Sequence, residues 1–220
     1  MRKLERMELK TTSRPSGPAK PGRRQDILNV ASDLFGQHGV SSVTTRQIAA
    51  RVGISQPSLY AHFTSVQHIH AELCAQAFAL LERHIEGVLA GDAAGDGLLK
   101  EAIAAYFDFG FTHSVAYKIA FMIEYPADGE MSQASYEGED HPGPRAFAGM
   151  KQVLARVRPD LDEARLDTLG KSLWAHLHGL VSLMLARPSF PWGGKDRLIA
   201  QHARSALGLV KAYDPSWPAS

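Results

Sequence analysis

Residues 43–63 read "VTTRQIAARVGISQPSLYAHF", and the glycine inside that stretch constrains the chain more than any other single residue. Gly53 parts two helical patterns, each too short to be stable by itself. Thr44 stands where a helix N-cap belongs, and Gln47 three residues later completes a capping-box pattern. Ile48, Ala49 and Val52 form the inward face of that first helix. Gly53 supplies the left-handed residue that ends it, and Ile54 turns back into the core. Ser55 caps the second helix, and Pro57 is tolerated in its first turn. Leu59 and Phe63, four apart, anchor a helix predicted over 56–63. Such a pair needs a third helix beneath it. Ile27, Ala31, Leu34 and Phe35 recur at the spacing of one helical face just upstream, with a glycine stop at Gly39.

Gln56, Ser58, Tyr60, Ala61 and His62 then point away from the core. Their amides, hydroxyls and imidazole reach base edges and phosphates without clashing in a DNA major groove. Arg46, near the start of the preceding helix, is placed to reach a guanine or a phosphate. The plainer alternative is a three-helix packing unit whose polar face is only wet. Charge bears on the choice. The chain's formal net charge is +1, yet residues 1–66 hold ten Lys and Arg against four acids, which leaves the remainder acidic. A basic front on an acidic body fits a local anion-binding face, although charged tails also serve simply to stay solvated.

Residues 11–24, "TTSRPSGPAKPGRR", are rich in Pro, Ser, Gly and cations and read as a flexible basic arm. Past Phe63 helical patterns are expected near 66–90, 98–113, 115–124, 144–158, 161–186 and 196–213. No run alternates in a way that compels a strand, so the expected class is all-α. The 126–144 stretch is polar, acidic and rich in breakers, and is predicted to be a long mobile loop. One cysteine, Cys74, excludes a disulfide framework within the chain and fits a reducing compartment. The opening "MRKLERMELK" has no apolar centre, and the apolar uncharged run 172–186 is too short to span a bilayer. The expectation is a cytoplasmic protein without a membrane segment.

The segment from Arg24 to about Leu73 resembles the N-terminal domain of the TetR (tetracycline-repressor) family of bacterial transcription regulators. The aromatic "F-G-x-x-G" end of the first helix, then "T-T-x-x-I-A", "G-I-S" and "L-Y-x-H-F", all stand in family order. The resemblance implies a DNA-contacting set of Thr45, Arg46, Gln56, Pro57, Ser58, Tyr60 and His62. It implies further that Tyr60 and His62 hold phosphates, while Arg46, Gln56 and Ser58 lie nearest to bases. One departure stands out. Where the family commonly carries a lysine at the start of the next helix, this chain has Val66. Arg23 and Arg24 of the arm are expected to take over part of that phosphate contact. "LWAHLHGLVSLML", residues 173–185, also resembles the "W-x-x-x-H-G" segment of one TetR subgroup.

The organisation that follows is a basic arm (1–23), a helix–turn–helix domain (24–68) and a larger helical effector-binding and dimerisation bundle (69–220). The helix over 161–186 is apolar on two sides, with Leu166, Leu173, Leu177, Leu180 and Met184 on one stripe and Trp174, Val181 and Leu185 on another. With the last helix it would build a homodimer through a four-helix bundle, the alternative being a fully internal helix of a monomer. "YFDFGFTHSVAYKIAFMIEYP", residues 106–126, is dense in aromatics. Tyr106, Phe107, Phe121, Tyr125, Trp174 and His178 are the candidate contacts for an unknown small-molecule effector, with Phe109, Phe111 and Met122 beside them and His113 or Glu124 available to orient it. Aromatics at helical spacing also serve simply as core.

No catalytic residue, cofactor or metal site is assigned. There is no glycine-rich phosphate loop or nucleophile elbow, and His70 and Cys74, one turn apart, lack a second ligand pair. The expected function is a ligand-responsive homodimeric repressor on a near-palindromic double-stranded operator. The alternative is a helical interaction module, or an enzyme, with no DNA sequence preference.

Overall fold

The computed structural model describes residues 22–122, 142–214 and 216. Among the described residues there are nine α-helices and no strand: α1 (Arg23–His38), α2 (Thr45–Val52), α3 (Gln56–Tyr60), α4 (Val66–Leu89), α5 (Gly95–Thr112), α6 (Ser114–Phe121), α7 (Pro142–Val157), α8 (Glu163–Ala186) and α9 (Lys195–Lys211). The all-α expectation holds. Residues 1–21 of the arm, and 123–141 with Glu124, Tyr125 and most of the expected loop, lie outside the described residues.

Two apolar cores organise the chain. The first joins α1, α2 and α3 around Ile27, Phe35, Ile48, Leu59 and Phe63, all essentially without exposure. The second fills the bundle of α4 to α9 around Leu99, Ile103, Phe109, Leu154, Leu169 and Leu177. Helix α4 belongs to both, giving Ile69, Leu73 and Cys74 to the first core and Phe78, Leu81 and Ile85 to the second. So does the short α6: Ile119 is buried in the first core and Tyr117 in the second. These two helices are the physical link between the cores.

Among the described residues, no helix is long and apolar enough to cross a membrane. Helix α8 packs on α5, α6, α7 and α9. Its expected second stripe is divided by the structure. Val181 is fully buried, because α5 presents Gly110 to it; a Cβ at Gly110 would lie 2.7 Å from Val181 Cγ1. Two turns earlier the helices part, and Trp174 is left 40% exposed beside a cavity. Helices α8 and α9 are locked by a reciprocal pair. His176 Nε2 donates to the His202 carbonyl at 3.3 Å, His202 Nε2 donates to the His176 carbonyl at 2.9 Å, and the two rings stack 4.0 Å apart. Leu183 and Phe190 remain exposed nearby in sequence.

Candidate functional site

The first candidate surface is the outer face of α2 and α3. Thr44 caps α2 with a complete capping box: its hydroxyl accepts from the Gln47 N–H, and its own N–H donates to Gln47 Oε1 at 2.7 Å. Gly53 ends α2 in the left-handed conformation, φ 77° and ψ 37°, which only glycine adopts without strain. Ser55 then caps α3, accepting from the Ser58 N–H, and its hydroxyl meets that of Ser58 at 2.9 Å. The α3 helix is shorter than the 56–63 expected from sequence. After Tyr60 the chain tightens, and the N–H groups of His62 and Phe63 both donate to the Leu59 carbonyl. That turn carries Phe63 into the core and leaves His62 half-buried at its edge.

Arg46, Gln56, Pro57 and Tyr60 are exposed, while Thr45 and Ser58 are half-buried. The Tyr60 hydroxyl lies 3.2 Å from Thr45 Oγ1, so a side-chain contact ties α3 back to the start of α2. All seven expected residues therefore gather on two adjoining helices and the turn after them. A polar, mostly uncharged ridge projects beyond its supports. Its capped helix starts and short side chains suit a groove walled by phosphates.

The arm arginines are placed differently from the expectation that they replace a lysine at position 66. Arg24 forms a two-pronged pair with Glu72 of α4, at 2.8 and 3.2 Å, and its guanidinium lies over the Phe63 ring at 4.5 Å. The same pairing holds the Glu72 carboxyl below its usual range. Arg23 meets Asp26 of its own helix at 3.4 Å. Arg24 thus fastens α1 to α4, and its charge is already matched. At the α4 start, Ser65 caps the helix by accepting from the His68 N–H at 3.0 Å, and His68 is exposed there. Sequence reasoning passed over His68. A histidine three residues after a capping serine at the edge of the reading face was the available signal.

The second candidate site is a cavity of about 520 Å³ between α4, α5, α6, α7 and α8. That volume lies within the range of small-molecule sites. Phe78, Phe121, Phe147, Met150 and Leu177 supply apolar walls. Tyr106, Trp174 and His178 line it too, and at its edge Lys171 pairs with Asp167 at 2.6 Å. Behind the wall Tyr117 is fully buried, with its hydroxyl 2.6 Å from His178 Nδ1 and 3.1 Å from the Tyr106 hydroxyl. Burial pushes the Tyr106 phenol up to about 12 and raises Tyr117 further, so both are neutral. Burial lowers His178, which favours its neutral ring.

Four of the six expected effector contacts, Tyr106, Phe121, Trp174 and His178, are brought together by this cavity. Phe107 is not. Successive helical residues point about 100° apart, so Phe107 turns to the α5–α9 side. There it stacks with Phe111 in a separate cleft that also contains Lys195. Phe109 and His113 pack together and with His84 of α4, away from the cavity lining. Tyr125 lies outside the described residues. Sequence reading missed Tyr117 and the α7 wall. Tyr117 stood unremarked inside the aromatic-rich stretch, and α7 is strongly two-sided in its sequence pattern.

A three-helix reading head joined through α4 and α6 to a helical bundle with an internal cavity is the form of a DNA-binding regulator. Comparison with known proteins gives the family. The family described as bacterial regulatory proteins, tetR family, matches residues 27–73, and the tetracyclin repressor-like C-terminal domain matches residues 99–206. The chain belongs to the TetR family of transcription regulators, which are not enzymes. It is 27% identical over 139 residues to the HTH-type transcriptional activator FasR of Mycolicibacterium smegmatis, covering 57% of this chain and 60% of that protein. It is 38% identical over 61 residues to the tetracycline repressor protein class D of Escherichia coli, covering 28% and 27% respectively. The chain thus spans at most about three-fifths of these relatives. The fold matches a bacterial regulatory protein of the tetR family from Rhodococcus RHA1, with TM-score 0.65, 15% identity, and coverage of 90% of this chain and 100% of that one. It also matches a SmeT–triclosan complex, with TM-score 0.65, 18% identity, and coverage of 87% and 90%.

Proposed function

We propose that the protein is a ligand-responsive homodimeric regulator, acting in the cytoplasm as a repressor, which leaves a near-palindromic operator when a small molecule fills the bundle cavity. Residues 24–68 form the reading head, and residues 69–220 bind the effector and the second subunit. Thr45, Arg46, Gln56, Pro57, Ser58, Tyr60 and His62 contact DNA, with Arg46, Gln56 and Ser58 nearest to bases. Two reading helices related by a two-fold axis enter successive major grooves, roughly 34–36 Å apart. The paired α8 and α9, fastened by His176 and His202, supply the subunit contact through faces that carry the exposed Leu183.

The observation that carries this reading is the double membership of α6. Phe121 lines the cavity, and two residues earlier Ile119 is buried in the head core. On the same helix Val115 faces Gly36 of α1, where an added Cβ would sit 3.6 Å away. A ligand that moves Phe121 therefore pushes on the seat of the head, and the two helices of a dimer lose the spacing of the grooves. Linkage then makes the effect mutual: the operator must weaken the ligand by the factor with which the ligand weakens the operator. The test is a thermal-shift screen for stabilising compounds, followed by titration of DNA release with each one. Cavity ligands that weaken operator binding support the scheme, and cavity ligands that leave DNA affinity unchanged contradict it.

A further inference from the structure

The polar wall of the cavity has one free choice of hydrogen positions, and the burial of its members removes it. Two phenols precede His178 in an unbroken chain: the Tyr106 hydroxyl lies 3.1 Å from that of Tyr117, and Tyr117 lies 2.6 Å from His178 Nδ1. Each phenol carries one proton that needs an acceptor. Tyr106 is 3% exposed and Tyr117 is fully buried, and the 2.6 Å contact to Nδ1 has the length of a phenol O–H donating to the imidazole nitrogen. If Nδ1 carried the imidazole proton, it would donate to Tyr117, and one of the two phenol protons would be left without an acceptor. A stranded buried donor costs about 1–3 kcal/mol. The one arrangement of these groups that pairs both phenol protons runs Tyr106 to Tyr117 to His178 Nδ1. The imidazole proton then sits on Nε2. Among the described residues no hydrogen-bond partner is found for that nitrogen, and His178 lines the cavity.

Resting on the reading of this cavity as the effector site, we infer that His178 Nε2–H is the cavity's fixed donor, so that the effector is a largely apolar, uncharged molecule bearing a carbonyl group. The aromatic walls take its body, and Nε2–H takes its oxygen. A ligand that offers only a donor meets a donor and loses affinity. Among the described residues that line the cavity the cation is Lys171, which already holds Asp167 at 2.6 Å, and burial lowers the imidazole's pKa, so a carboxylate finds no unpaired positive charge there. The "W-x-x-x-H-G" spacing thereby gains a physical meaning: Trp174 and His178, four residues apart on the same face, both line the cavity with their rings 6.0 Å apart.

The experiment compares benzophenone with diphenylmethane, which differ only by a carbonyl in place of a methylene, using calorimetric titration of the full-length protein. Benzophenone is expected to bind roughly tenfold tighter, near the upper end for one added hydrogen bond. The gap should close in His178→Phe and shrink in Tyr117→Phe, which frees the tautomer while keeping the ring. Equal affinities for the two probes in the unaltered protein would overturn the carbonyl assignment and leave the cavity as a binding site. No binding of either probe would overturn both. A measurement that needs no variant is a nitrogen-15 spectrum of labelled histidines. A proton on Nε2 of His178 supports the inference, and a proton on Nδ1 overturns it.

Discussion

The thiol of Cys74 on α4 donates to the backbone carbonyl of Ile119 on α6 at 3.5 Å, inside the core of the reading head. Burial pushes that thiol up to about 12, so it stays protonated and keeps its donor. The carbonyl near the end of α6 and the helix that leaves the head are thereby joined, at the place where the proposed signal from the cavity would pass. Truncating Ile119 to Ala opens this seam. It should cost about 2–5 kcal/mol of stability, read as a lower denaturant midpoint. In the fraction that stays folded it should also weaken the dependence of DNA affinity on ligand.

The close approach of α5 to α8 gives a second test. Gly110→Ala places a methyl group 2.7 Å from Val181 Cγ1, inside contact distance. Overpacking of this kind costs about 1–3 kcal/mol. Val181→Ala alone leaves a hole and also destabilises. The double variant should be more stable than the sum of the two losses, a coupling readable from denaturant unfolding of all four proteins.

Acid should loosen the same seam through His70. It is 3% exposed, packs its ring edge-on against Phe35 and touches Cys74. Burial, only partly opposed by a backbone hydrogen bond to Ile119, lowers its pKa from the usual 6.5. The folded value lies below the unfolded one, so below about pH 6.5 the unfolded chain takes up a proton that the folded chain refuses. Stability from this group is full above that pH and is lost as the pH falls, by at most about 1.4 kcal/mol per pH unit. Between pH 7 and 5.5 the midpoint should fall more steeply for the unaltered protein than for His70→Leu.

On the reading face, Arg46 and Tyr60 should separate by their salt dependence and specificity. Arg46→Ala removes an exposed cation; if it holds a base, specificity at one position relaxes by about 1–3 kcal/mol. Tyr60→Phe keeps the ring but loses the hydroxyl beside Thr45 Oγ1, and should weaken all sequences alike. Fluorescence anisotropy on operator and scrambled duplexes at several salt concentrations reads both.

The head was legible because its local signals agree. Thr44 and Gln47 form the expected box, Gly53 takes the expected left-handed turn, and Leu59 and Phe63 are buried as their spacing required. Only the end of α3 differed, since the chain tightens at Leu59 to bring Phe63 inward. In the bundle the helices were legible, but their facing was not. Tyr106 and Phe107 look equivalent in sequence, yet one faces the cavity and the other the α9 cleft. Arg24 reads as an arm cation, and only the fold sets Glu72, 48 residues away, against it. Long-range partners of this kind leave no trace in spacing.

The account stands or falls on paired, sequence-dependent reading of duplex DNA. Selection of bound fragments from a random duplex library by the purified full-length protein measures that directly. The result it predicts is an enriched site with two inverted halves whose centres lie about one helical turn apart. No enrichment, or a single unpaired half bound by a monomer, would contradict it.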